Sequence, residues 1–81
     1  MGMLRVLSRN GDDKVAWDAT AVAVGDPEAV AAVQEAERIF AEQRARGATA
    51  VRVTPGKPAE RIDTFDPEAQ EIVMVPRVIG G

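Results

Sequence analysis

Few residues of this sequence can do chemistry, because its 81 residues include neither cysteine nor histidine. Without these two residue types the chain has no thiolate nucleophile, no imidazole base, no His-led catalytic triad and no disulfide. A zinc site built on either type is excluded as well. We therefore expect that the chain is not an enzyme, and that it binds partners or is acted on by them.

The remaining candidates for a ligand site are weak. Asp12 and Asp13 follow a turn signal, but no further oxygen ligands are spaced as calcium requires, so we interpret them as solvated turn residues. Gly56-Lys57 lacks the spacing and the Ser or Thr of a phosphate-binding loop. The sequence thus predicts neither a metal site nor a bound cofactor.

A group of acidic residues near the end of the chain has two interpretations. It could face a basic surface of a partner protein, or it could discourage pairing at an exposed strand edge. The residue order alone leaves both interpretations open. The four residues are Asp63, Asp66, Glu68 and Glu71.

Composition and charge narrow the class of protein. A chain of this length forms one domain with a single small core, and 46% hydrophobic with 28% charged residues is a globular composition. The net charge of −3 disfavours binding to nucleic acid and to anionic membranes. No apolar run approaches the ~20 residues of a membrane span, and no basic leader precedes an apolar stretch, so we expect a cytoplasmic location.

The first part of the chain predicts a β-hairpin. Met3 to Ser8 and Lys14 to Asp18 are strand-like, and Asn10-Gly11 between them is a strong signal for a tight turn. We expect Trp17, on the second strand, to anchor the core or its rim rather than to bind a ligand. Thr20 to Val24 either prolongs this strand or crosses over as an extended loop.

A long amphipathic helix follows the hairpin. Asp26 is its predicted N-cap, Pro27 its first residue, and the helix is expected to run to about Arg46. Gly47 suits the left-handed position that ends a helix. Spacing of 100° per residue places Ala29, Val33, Ala36 and Phe40 at the centre of the apolar face, and Glu35, Arg38, Glu42 and Arg46 opposite them.

The second half of the chain predicts three more strands. Thr49 to Thr54 forms the third, and Pro55 to Pro58 stops it. Glu60 to Phe65 is a weaker strand, and Asp66 to Ala69 is a single helical turn. Ile72 to Val75 has no polar alternation, which indicates a central strand.

The chain divides into a domain, residues 1–76, and a short tail, residues 77–81. Pro76 ends the last strand because it cannot donate to a ladder. We expect the tail, which closes with Gly80-Gly81, to be flexible.

This order of elements, followed by Gly80-Gly81, resembles the β-grasp proteins of the ubiquitin-like superfamily. From Phe65 onward the sequence is similar to the end of the small, sulfur-carrying subunit of molybdopterin synthase, and the tail is also similar to that of ubiquitin. It departs from both patterns. Arg77 stands where the sulfur carriers tend to have a second proline, and Ile79 stands where ubiquitin has its second tail arginine.

The resemblance implies an α+β fold of the β-grasp type, with a mixed sheet of four or five strands packed on one helix. It also implies that Gly81, preceded by Gly80, is an activated C-terminus. An adenylating partner enzyme would activate its carboxylate with ATP and Mg²⁺, for sulfur transfer or for conjugation to an acceptor protein. The tail that binds the partner would comprise Pro76, Arg77, Val78 and Ile79.

An alternative is a non-conjugated β-grasp module that acts as an adaptor or as a structural subunit of a viral particle or secretion complex. Apolar side chains on the sheet face away from the helix would then dock a partner. Strand alternation divides Val51, Val53, Ile62 and Val75 between the two faces without deciding which face each residue takes. Arg52 and Arg77 would border the docking surface, because arginine is enriched at interfaces.

Overall fold

The computed structural model describes residues 1–8 and 11–77, in which a mixed five-stranded sheet carries one long helix across one face. The strands are Gly2–Ser8 (β1), Gly11–Trp17 (β2), Thr49–Val53 (β3), Glu60–Ile62 (β4) and Glu71–Val75 (β5), and the helices are Ala19–Ala23 (α1) and Pro27–Ala45 (α2). The strand order is β2-β1-β5-β3-β4, with β1 and β5 parallel and the other neighbours antiparallel. The predicted α+β architecture and the central position of β5 are confirmed.

The hairpin of β1 and β2 is confirmed, but Gly11, predicted as a turn residue, belongs to β2. Ser8 pairs with Gly11, so Gly11, at a φ of 111°, begins β2 instead of completing the turn. Asn10 lies outside the described residues. The strand ends at Trp17 because the next residue, Asp18, caps a helix.

The segment after β2 is neither a strand nor an extended crossover, so both predictions for Thr20 to Val24 were wrong. Ala19–Ala23 forms a helix of 5 residues. The Oδ1 atom of Asp18 accepts hydrogen bonds from the backbone N–H groups of Thr20 and Ala21 at 2.9 and 3.3 Å. A helix of this length is too short to show the 3.6-residue repeat of apolar residues that identifies helices in a sequence. Its β-branched residues, Thr20 and Val22, favour a strand by their propensity.

Helix α2 matches its prediction closely. Asp26 caps it by accepting from the Glu28 N–H at 3.1 Å, Pro27 is its first residue, and Gly47 follows its end with a φ of 91°. Three of the four side chains predicted at the centre of its apolar face, Val33, Ala36 and Phe40, pack in the core. Ala29, Ala36 and Phe40 are buried, and Val33 is half-buried.

The core lies between α2 and the sheet and contains three aromatic rings. The ring of Phe65 packs against Trp17 and Phe40, at centroid distances of 5.6 and 5.7 Å. Aromatic pairs at this separation and tilt contribute beyond the apolar area that they bury. The other buried side chains of this core are Leu4, Ala36, Ala48, Ala50, Ala69, Ile72 and Met74.

The connection between β3 and β5 is less regular than predicted. β4 covers only Glu60–Ile62, because Phe65 leaves the strand direction and packs in the core. Asp66 to Ala69 is one hydrogen-bonded turn and not a helical turn: Ala69 N–H donates to the Asp66 carbonyl at 3.2 Å. The predicted cap is present, since Asp66 Oδ1 accepts from the Glu68 N–H at 2.9 Å.

Candidate functional site

The end of β5 is the part of the fold that positions the tail. β5 lies in the middle of the sheet, parallel to β1 and antiparallel to β3, and its residues Ile72 and Met74 are fully buried. Val75 is 39% exposed, and Pro76 and Arg77 after it are exposed as well. The chain therefore leaves the domain from its best-anchored strand.

Arg77 lies against the end of α2. A Cβ atom placed on Gly47 would lie 3.1 Å from Cδ and 3.6 Å from Cβ of Arg77, which shows how closely the arginine stem approaches this glycine. Gly47 also has a positive φ, which side-chain-bearing residues rarely adopt. The first residue of the predicted tail is thus in contact with the domain.

The four remaining residues of the predicted site fall outside the described part of the chain. They are Val78, Ile79, Gly80 and Gly81. Their predicted roles, as partner-binding residues and as the activated terminus, stay predictions.

The sheet face away from α2, which we call the open face, carries an apolar centre. Val51 and Val73 are direct neighbours in the ladder between β3 and β5, and Thr49 stands opposite Val75 in the same ladder. The sequence did not decide which sheet face Val51, Val53, Ile62 and Val75 occupy. The register shows that only Ile62 faces α2. The apolar side chains of the open face are Met3, Leu7, Ala16, Val51, Val53, Val73 and Val75.

Arg5 crosses the middle of the open face and forms ion pairs with both acidic residues of that face, Asp12 and Glu71. Its guanidinium lies 3.6 Å from Asp12 and 3.3 Å from Glu71. Its Nε atom is buried and has no hydrogen-bond partner among residues 1–8 and 11–77. Lys14, opposite Arg5 in the ladder, and Arg61, opposite Val51, make no ion pair within the described residues. The charge left on this face is therefore positive.

Arg52 does not border the open face as predicted, because it points to the α2 side of the sheet. There it donates to Glu60 and to Asp66, each at 2.7 Å, and these hydrogen bonds raise the pKa of Arg52, the bond to Glu60 most strongly. The guanidinium thus joins β3 to β4 and to the turn that precedes β5. Its position follows from the register, which pairs it with Ile72 and Glu60.

The four acidic residues near the end of the chain do not form one patch. Asp63 pairs with Arg44 at 3.3 Å, Asp66 with Arg52, and Glu71 with Arg5. Glu68 makes no ion pair with any described residue. Three of the four carboxylates therefore form ion pairs within the domain, a role that neither sequence interpretation anticipated.

No known protein family, curated protein or solved structure matches this chain. Within the described residues, no three His, Cys, Asp or Glu side chains are grouped to hold a metal ion. None of the described helices is long and apolar enough to cross a membrane. Among the described residues, two features that could engage a partner are the exposed Pro76 and Arg77 after β5 and the apolar centre of the open face.

Proposed function

We propose that this protein has a β-grasp fold and is a ubiquitin-like carrier or modifier. The strand order β2-β1-β5-β3-β4, with a parallel pair in the centre and one long helix across one face, supports the fold. It is the arrangement expected of the β-grasp proteins that the sequence resembles. The resemblance extends to the order of elements along the chain and to the final Gly80-Gly81.

In this proposal the reacting group is the carboxylate of Gly81. A partner enzyme uses ATP and Mg²⁺ to form an acyl-adenylate on this carboxylate, with release of pyrophosphate. Attack by hydrosulfide then gives a thiocarboxylate and releases AMP. In the other route a cysteine thiol of a partner enzyme displaces AMP to form a thioester, and a lysine amine of an acceptor protein then displaces that thiol to form an isopeptide bond. Glycine suits this position because a residue without Cβ passes most easily through a narrow channel.

One observation carries the proposal: the tail follows directly from the central strand β5, past an exposed Pro76 and Arg77. The buried Ile72 and Met74 anchor β5, so the point at which Pro76 leaves the sheet is fixed, which favours recognition of the following residues by an activating enzyme. The absence of Cys and His from the sequence is consistent with this role, because partner enzymes supply the chemistry.

Intact mass spectrometry of the protein purified from its own host tests the proposal. A terminal Gly81 with one oxygen replaced by sulfur identifies a sulfur carrier, and Gly81 joined to a lysine of another protein identifies a modifier. A matched variant, Gly81→Ala, should lose either product while keeping the fold. If every molecule has an unmodified end, or if the mature chain continues beyond Gly81, the proposal is wrong.

A second function, a non-conjugated interaction module, is favoured by the open face. Its apolar centre at Val51, Val73 and Val75 remains partly exposed, and its unpaired charges, Lys14 and Arg61, are positive. Exposed apolar patches on small domains mark binding sites for other proteins. Val75→Asp should abolish such an assembly without changing whether Gly81 is modified, so the two functions are distinguishable.

A further inference from the structure

Helix α1 lies between two surface clefts that share Trp17. One cleft, of about 190 Å³, is mostly apolar, and its lining residues are Trp17, Ala19, Val22, Ala23, Pro67 and Glu68. The other, of about 320 Å³, lies on the side of α1 that faces the start of α2 and includes Asp18, Asp26 and Glu28. Val24, directly after α1, is 78% exposed. The helix therefore presents apolar surface that the domain's own core leaves uncovered.

The charged side chains that line these clefts are all acidic, and Met1, which carries the α-amino group, also lines the second cleft. Four carboxylates border them, and they belong to Asp18, Asp26, Glu28 and Glu68. None of the four takes part in an ion pair within residues 1–8 and 11–77, although seven other acidic residues of the chain do. Among the described residues, no lysine or arginine lines either cleft. This end of the molecule is thus acidic, in contrast to the open face.

Helix capping explains only part of this acidic group. Asp18 and Asp26 each use Oδ1 to accept backbone N–H groups at the starts of α1 and α2. The side chains of Glu28 and Glu68 accept no hydrogen bond from any described residue, so they add charge without completing a cap. The two glutamates stand on different sides of α1, one at each cleft.

We infer that the α1 surface binds a basic amphipathic segment of a partner protein. An apolar side chain of the segment enters the cleft between α1 and Pro67, and flanking lysine or arginine residues meet the carboxylates on both sides. Charge complementarity selects this occupant, because an acidic or uncharged segment leaves the four carboxylates unpaired. Neither cleft is lined by Arg77 or by Val51, Val73 or Val75, so this inference does not depend on the proposed function.

Titration of the ¹⁵N-labelled protein with a short amidated peptide of leucine and lysine tests the inference by NMR. Saturable shifts should centre on Val22, Val24 and the indole N–H of Trp17, and the affinity should fall as salt is added. The same peptide with glutamate in place of lysine should not bind. Absence of saturable shifts, equal binding of the acidic peptide, or shifts centred on Val51 and Val73 would each overturn the inference.

A pair of charge-matched variants separates a specific site from general attraction. Glu28→Gln combined with Glu68→Gln should lower the affinity for the lysine peptide about five-fold, the effect of losing two exposed ion pairs. Glu37→Gln combined with Asp13→Asn removes the same charge elsewhere and should leave the affinity within about two-fold. If both double variants weaken peptide binding equally, the interaction depends only on net charge and the inference is wrong. All four positions are exposed, so the variants should fold.

Discussion

The indole Nε1 of Trp17 donates a hydrogen bond to the carbonyl oxygen of Pro67 at 2.9 Å, across 50 positions of the chain. This bond fastens the end of β2 to the turn that precedes β5. On its other side the same ring lies directly against Gly2, its partner in the β1–β2 ladder. Trp17 is 2% exposed, so the first strand, the second strand and the turn before the last strand all meet at one side chain.

This packing predicts that Gly2→Ala destabilises the protein. The added Cβ would lie 2.3 Å from Cε2 of Trp17, so the buried indole must move. We expect the free energy of unfolding in urea to fall by about 1–3 kcal/mol, the usual cost of overpacking. The fluorescence of the single tryptophan should change as well. A decrease in the free energy of unfolding would be informative, because alanine in a strand is otherwise more stable than glycine.

Gly56→Ala is the matched control for this prediction. Gly56 has open space around it but a φ of 77°, so alanine there should cost about 1 kcal/mol through the backbone alone. The tryptophan fluorescence of this variant should stay as in the wild type. A fully stable Gly2→Ala protein with unchanged fluorescence would show that the indole does not occupy this position.

Phe40→Ala tests the orientation of α2. Phe40 is 4% exposed and meets Phe65 edge to face, so its truncation should lower the free energy of unfolding by about 3–5 kcal/mol. Glu37→Ala, on the exposed side of the same helix, should change it by less than about 0.5 kcal/mol. Urea denaturation measures both. A loss below about 1 kcal/mol for Phe40→Ala would contradict the assigned buried face.

Much of this fold follows from local signals in the sequence. The ends of α2 could be predicted because Asp26, Pro27 and Gly47 each fit one position of a helix terminus for a backbone reason. The central position of β5 could be predicted because Ile72 to Val75 has no polar alternation. These signals depend on neighbours a few residues away, so the rest of the chain does not alter them.

The parts that could not be predicted depend on register or on very short elements. Arg52 was assigned to the border of the open face, but its ladder with Ile72 and Glu60 turns it to the α2 side. A shift of one residue would reverse that choice, and the sequence of a strand does not contain its register. For α1, the useful signal was Asp18, an N-cap residue directly before an Ala-rich segment.

The ion pair between Arg38 and Glu35 on the exposed side of α2 predicts how stability depends on pH. The guanidinium of Arg38 donates to Glu35 at 2.5 and 3.1 Å, and these hydrogen bonds hold the pKa of Glu35 below its ordinary value, with partial desolvation opposing them. Because the folded pKa lies below the unfolded one, the pair stabilises the protein above the unfolded pKa. That contribution is lost as the pH falls through the folded pKa. The effect should be small, since both side chains are exposed.

An NMR titration of the Glu35 carboxyl carbon measures this pKa directly. In the Arg38→Ala variant the value should return towards that of an ordinary glutamate, and added salt should move the wild-type value in the same direction. Arg61→Ala, which removes an arginine on the far side of the sheet, serves as the control and should leave the titration unchanged. An identical titration of Glu35 in the wild type and in Arg38→Ala would contradict the pairing.

Removal of the last two residues separates folding from the proposed function. The buried core of the described residues ends at Met74, so deletion of Gly80 and Gly81 should change the free energy of unfolding by less than about 0.5 kcal/mol. The same deletion should abolish any thiocarboxylate or isopeptide product in the host. A second deletion, ending at Pro76, also removes the contact between Arg77 and Gly47 and should lower stability slightly more. Large destabilisation by the first deletion would instead give the diglycine a structural role.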